Sequence, residues 1–358
     1  MKRFNGGELM PCHGIWGETE LQDAEPAIEV HHGAIYVPRD PAQGFHLDAA
    51  WGLYAADGAL IDASLYRRGP GPVRVGQSDR TALRASTVES APECLYVYVG
   101  TIHRHYGHFL LSGLARFWPQ LKARAADIRL LYHGDDEPEG LFRLPFMAAI
   151  LGALDIAPGD LVRFHAPVAL GTVLVPGPSY EESHGAHRVH GSLGAAIGAR
   201  LLGPDPTPRD SRPAFLSRVN LREGVRRFAD EEAIAAALER HGVRIVHPEE
   251  LALAEQIRLF ETHPLVVAVL GSALHTSLLA RAPAQMLAVQ HHGVIPSDYP
   301  LIDELKGNSA TYLWGKGTST SLDPASTGFQ VEFRLAHPAV TIDSLLRLID
   351  ERMTGAPD

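Results

Sequence analysis

Apolar positions change rhythm along the chain. Over the first ninety residues they alternate in short runs, GAIYVP and GLYAADGALIDASLYRRG, with Asp57-Gly58 placed as a hairpin turn between two strands. This predicts a small β-rich region over 1–93. From Cys94 the rhythm becomes strand and helix in alternation. CLYVYV reads as a buried strand, Leu110, Leu114, Phe117 and Leu121 as the apolar stripe of one helix, and IRLLYH as the next strand. Residues 94–203 are therefore expected to be an α/β layer, completing an N-terminal lobe over 1–203.

The run GPDPTPRDSRP at residues 203–213 has four prolines and little that can be buried, so 204–213 reads as a linker. Beyond it the alternation is regular. AFLSR is a strand, and DEEAIAAALERHG a helix with Asp230 as N-cap and Gly242 as its stop. VRIVHP is a strand, then EELALAEQIRLFETH a helix with Leu253, Ile257 and Phe260 on one face. PLVVAVL is the most continuously apolar strand, SALHTSLLARA a helix and QMLAVQ a further strand. Such alternation is the signature of an open parallel sheet, so 214–325 is expected to be a Rossmann-like lobe. A polar stretch follows, and TIDSLLRLIDERM in the tail 326–358 is an amphipathic helix expected to pack back on the first lobe.

Composition narrows the function classes. The chain of 358 residues is long enough for two cores, and 45% of it is hydrophobic. A net charge of −10 and a pI near 6.0 argue against nucleic acid as a partner. Two cysteines, Cys12 and Cys94, form neither a disulfide framework nor a C-x-x-C site and fit a reducing, cytoplasmic setting. No apolar stretch follows the basic start and no window reaches the length of a membrane span, so no integral membrane segment is expected. A homo-oligomer is left open.

Ligands of open parallel sheets sit beyond the carboxyl ends of the strands, which directs attention to two loops. In VLGSALHTSLL a buried strand ends at Leu270, and Gly271, Ser272, Ala273, Leu274 and His275 turn into a helix whose free N–H groups suit a phosphate; a plain tight turn explains the same residues. FLSRVNLREGVRRFAD adds Ser217, Arg218, Arg222, Arg226 and Arg227, cations that an anion pocket in an acidic protein needs, or else a solvated face. Arg218 follows its strand directly, in reach of a diphosphate at the Gly271 turn. Neither G-x-G-x-x-G after a strand nor a P-loop is present, which favours a nucleotide sugar over a nicotinamide cofactor or a nucleoside triphosphate. Glu250 or Gln256 suits the nucleoside, and helix capping suits the acids of that segment equally.

The second loop, GTIHRHYGHFLLSGL, holds His103, His105 and His108. No carboxylate or cysteine follows at ligand spacing, so a metal site is not expected. An imidazole there can act as general base, and His108, then His105, are the candidates; each also reads as a capping or structural histidine. Asp135, Asp136 and Glu137 suit Mg²⁺ or a solvated turn, and His291 and His292 suit a cleft or the surface.

HYGHFLLSGLARFWPQL, followed by FLSRVNLREGVRRFADEEAIAAALERHGVRIVHPEELALAEQIRLFETHPLVVAVLGSALHTSLL, resembles glycosyltransferase family 61 over about residues 94–290. Ser217 and Arg218 match the family's Ser-Arg pair, Gln256 its helix glutamine, and Gly271 with Leu274 its Gly-Ala-x-Leu segment. The resemblance implies the GT-B architecture of two Rossmann-like lobes and an inverting, metal-independent enzyme without a cofactor. It implies a UDP-sugar donor on the second lobe and a glycan or other hydroxyl acceptor on the first, as in capsular or exopolysaccharide synthesis. Three positions depart from many relatives: Ser272 in place of alanine, Thr276 in place of asparagine, and no carboxylate shortly after His108, where Leu110, Leu111 and Ser112 stand. That last departure keeps a catalytically silent glycan-binding or scaffold protein as the alternative.

Overall fold

The computed structural model describes residues 8–40, 51–71, 73–74, 76–121, 128–204, 208–221, 226–322 and 331–355. The chain divides into two compact units, one of Met1–Trp16 with Leu202–Asp358 and the other of Gly17–Leu201. It is mixed α/β throughout, with several sheets.

The unit that holds the C-terminal half is built on five parallel strands. Their spatial order is Arg244–Val246, Ala214–Leu216, Val266–Val269, Gln285–Gln290 and Ser309–Gly315, and Leu9–Pro11 pairs antiparallel along the last of them. Numbered along the chain, the parallel strands run 2-1-3-4-5, so the order reverses between Ala214–Leu216 and Val266–Val269. Val266–Val269 is buried at every position, which is why it shows no alternation in the sequence. Helices Glu231–Arg240 and Leu253–Thr262 supply the crossovers. Phe215, Val267, Val269, Leu287 and Leu313 meet Ile234 and Leu238 in one core.

Helix Pro338–Thr354 was expected on the first lobe, but it places Leu345 and Ile349 in this same core and so packs on its own sheet. Leu9 joins that core too, so the first sixteen residues belong with the C-terminal half, not with a lobe over 1–203. The segment after Gly271 is a 3₁₀ helix over Ser272–Leu279. Ser272, Thr276 and Ser277 hold a wide helix poorly, because short polar side chains compete for backbone hydrogen bonds.

In the main sheet of the other unit four parallel strands lie in the order Leu161–Val162, Ile128–His133, Leu95–Thr101 and Val168–Pro176, extended antiparallel by Ile28–Val37 and Gly52–Tyr54, with Glu89–Ser90 pairing parallel to Val168–Pro176 off this path. Along the chain the parallel strands run 3-2-1-4, and the order reverses between Leu95–Thr101 and Val168–Pro176. Asp57-Gly58 does turn the chain, with Gly58 at φ +83° and Tyr54 bridged to Leu60. The single helix expected from Leu110 to Leu121 is not what forms. An α-turn Tyr106–His108 passes into a π-turn Phe109–Gly113, and a 3₁₀ turn Trp118–Leu121 follows after a break. Phe109 through Gly113 are buried on all sides, so no polar face exists to keep a regular helix amphipathic. The side chain of Leu121 lies outside the described residues.

Candidate functional site

Both strand-order reversals carry polar side chains on the loops that follow their strands, where an open sheet offers room for a ligand. In the C-terminal unit the loop after Ala214–Leu216 starts with Ser217 and Arg218, and the loop after Val266–Val269 with Leu270 and Gly271. The two loops touch. Nη1 of Arg218 donates to the carbonyl of Leu270 at 3.4 Å, and a Cβ on Gly271 would lie 2.8 Å from the same nitrogen. Gly271 has an extended backbone at φ −174°, so space beside Arg218, not backbone conformation, favours glycine there.

The arginine loop is tied down by Glu231, at the first position of its helix. The backbone N–H of Arg218 donates to Glu231 Oε1, and Ser217 Oγ approaches the same oxygen at 3.5 Å. Burial raises the Glu231 pKa, against the lowering pull of the Arg218 N–H and guanidinium charge. Glu231 was not singled out in the sequence; its only signal is an acid directly after the N-cap of the helix that follows the Ser-Arg strand. A cavity of about 190 Å³ opens beside Arg218, Phe228 and Glu231.

The remaining donor candidates divide. Asn220 Nδ2 donates to Glu250 at 2.9 Å, which brings Glu250 to the arginine loop. Gln256 Nε2 is spent on the carbonyls of Pro248 and Leu251 at 2.9 and 3.1 Å, holding the backbone ahead of its helix. Ser272 and Ala273 are half-buried in the turn, Leu274 is buried, and the buried His275 packs its ring on Tyr299 with centroids 4.9 Å apart. Arg222 and the side chain of Arg226 lie outside the described residues. Substituting Gly271 by alanine should push the Arg218 guanidinium aside without unfolding the turn. The thermal midpoint is expected to stay unchanged, and a melting curve of the variant checks it.

In the other unit, the loop after Leu95–Thr101 carries the histidines and the loop after Val168–Pro176 leads into the hairpin Tyr180–Glu181 and Gly185–His187. His105 caps the short α-turn, its Nδ1 accepting from the His108 N–H at 3.5 Å. His103 is half-buried beside Tyr66, ring centroids 5.4 Å apart, and desolvation first, then the neighbouring His108, pulls its pKa down to about 4. The same two causes lower His105. His108 differs: its Nδ1 stands 2.8 Å from Oε2 of Glu182, and about a third of its side chain is exposed while Glu182 is 2% exposed.

Glu182 was missed in the sequence. Ser112 Oγ donates to its Oε1, and Arg68 Nε lies 3.2 Å from its Oε2. Burial pushes its carboxyl pKa up, but the His108 hydrogen bond and charge, Arg68 and Ser112 together hold it down at about 2. The residue after it, Ser183, is buried at φ +60°, a left-handed conformation that non-glycine residues seldom take and that turns the hairpin tightly. The acidic run after the next strand is taken up by arginines: Asp135 by Arg39 at 2.7 Å, Asp136 by Arg104 at 3.4 Å, and Glu137 by Arg163 at 3.6 Å. His291 stacks on Phe333 with centroids 3.7 Å apart. Among the described residues no three histidine, cysteine or acidic side chains are placed to hold a metal ion, and no helix is long and apolar enough to cross a membrane.

The Glycosyltransferase 61 family model matches residues 106–287, just over half of the chain, beginning at the short turn that bears His108 and ending in the strand Gln285–Gln290. The chain belongs to glycosyltransferase family 61. Membership in family 61 indicates a glycosyltransferase, and the match spans both loop pairs described above, from His108 and Glu182 to Arg218 and Gly271. No curated protein matches the chain.

Proposed function

We propose that this family 61 protein is an inverting, metal-independent transferase that moves a sugar from a UDP-sugar to a hydroxyl of a glycan acceptor in surface-polysaccharide synthesis. Its two units act as the two lobes of a GT-B enzyme, in the cytoplasm, where Cys12 and Cys94 stay as free thiols. The observation that carries this reading is the contact of Arg218 with the Leu270-Gly271 turn at a strand-order reversal. A guanidinium fork beside a glycine turn suits a diphosphate, and neither of the other phosphate fingerprints is present.

In the reaction the acceptor O–H gives its proton to Nε2 of His108, and the oxygen attacks the anomeric carbon from the face opposite the diphosphate. The new carbon–oxygen bond forms as the bond to the diphosphate breaks, and the leaving UDP keeps the electron pair. Arg218 meets the charge that grows on it, which stabilises the transition state more than the ground state.

Titration calorimetry with UDP, GDP, CMP and NAD, each with and without Mg²⁺, tests the donor class. UDP is expected to bind, with the same affinity in either condition, and the other three to bind weakly. Absence of binding by every nucleotide overturns the reading in favour of a silent glycan-binding or scaffold protein.

A further inference from the structure

We propose that Glu182 is the positioning residue for His108: a carboxylate delivered from a distant hairpin, which fixes the ring's tautomer and meets its charge when the acceptor's proton arrives. This rests on the transferase reading above. An ionised carboxylate only accepts hydrogen bonds, so the 2.8 Å contact puts the hydrogen on Nδ1 of His108 and leaves the Nε2 lone pair for the acceptor. As Nε2 takes the proton the ring becomes a cation, and Glu182 stands beside it with full negative charge.

The carboxylate is held against rotation. Arg68 Nε, which can only donate, lies 3.2 Å from Oε2, the oxygen that faces His108, and Ser112 Oγ donates to Oε1. The hairpin itself is anchored, since Gly185–His187 also pairs with Glu20–Gln22 and Arg68 bridges to Glu182 through its backbone. Ser112 lies four residues after His108, one turn of the same helical segment, and touches Glu182. Glu182 thus reaches the His108 segment from 70 residues further along the chain than Ser112.

Glu182→Gln separates charge from shape. Arg68 requires an acceptor, so the amide oxygen faces Arg68 and His108, the amide nitrogen faces Ser112, and only the negative charge is lost. With UDP-glucose as donor probe and turnover read as released UDP, kcat is expected to fall roughly 10- to 100-fold with KM unchanged. Adding Ser112→Asp to Glu182→Gln returns a carboxylate to the same space and is expected to recover most of the loss. A merely structural Glu182 gives neither the split nor the rescue. Wild-type turnover in Glu182→Gln, or a double variant no faster than Glu182→Gln, overturns the assignment.

The nitrogen-15 spectrum of the His108 ring tests the pairing without turnover. The hydrogen is expected on Nδ1 in the wild type and shared between both nitrogens in Glu182→Leu. A wild-type ring with its hydrogen on Nε2 overturns the pairing even if transfer is observed. An Nδ1–H ring in a wild-type protein that turns over no donor strikes the transferase reading instead and leaves the pairing standing.

Discussion

His108→Ala is expected to lower transfer about 10³-fold, the scale of losing a positioned general base, while UDP binds as it does to the wild type. The asymmetry follows from the chain's layout. His108 is on the unit of Gly17–Leu201, whereas Arg218 and Gly271 are on the unit that contains Leu202–Asp358. His105→Ala is the control. Its ring accepts one long hydrogen bond from the His108 N–H at 3.5 Å, and burial and His108 lower its pKa, so its loss frays a turn and lowers the rate by far less. Steady-state kinetics on both variants, with calorimetry for UDP, decides the matter. Turnover of His108→Ala at the wild-type rate sinks the assignment of the base, and equal losses in the two variants move it to the turn as a whole.

Arg218→Ala carries the second large effect. A charge-assisted hydrogen bond to an anion contributes about 1.5–3 kcal/mol, so UDP affinity is expected to fall roughly 10- to 100-fold. Glu231 makes the position sensitive, because it fixes the backbone from which the guanidinium projects. Arg218→Lys should recover only part of the loss, since a single ammonium cannot present the planar fork. Raising ionic strength should weaken wild-type binding and leave Arg218→Ala nearly unaffected, because the screened charge is already gone. Unchanged UDP affinity in Arg218→Ala removes the diphosphate from this loop.

The parallel sheet of the C-terminal half was legible because its strands are buried on both faces and its helices carry one apolar stripe. Val266–Val269 and the face of Leu253, Ile257 and Phe260 are local patterns that need no partner to be seen. Arg218 and Gly271 were legible for a related reason. Each stands two residues past the end of a strand, and loops at carboxyl ends are where such sheets bind ligands. What the sequence left undecided was strand order, and strand order alone makes those two loops neighbours. Helix type escaped as well: an all-round buried segment, Phe109–Gly113, has no polar face to impose a regular period.

Glu182 marks the boundary between the two kinds of knowledge. In the sequence it is one acid in YEESHG, indistinguishable from solvated neighbours, and the stretch just after His108, through Leu110, Leu111 and Ser112, holds no carboxylate. By itself the sequence determined the family, the alternation of strands and helices, and which residue types stand at the loops, because these depend on near neighbours. Only the tertiary structure decided that Glu182, Ser112, Arg68 and His108 share one site. Hydrogen bonds are satisfied in space, and a carboxylate 74 residues from its histidine leaves no periodic trace along the chain.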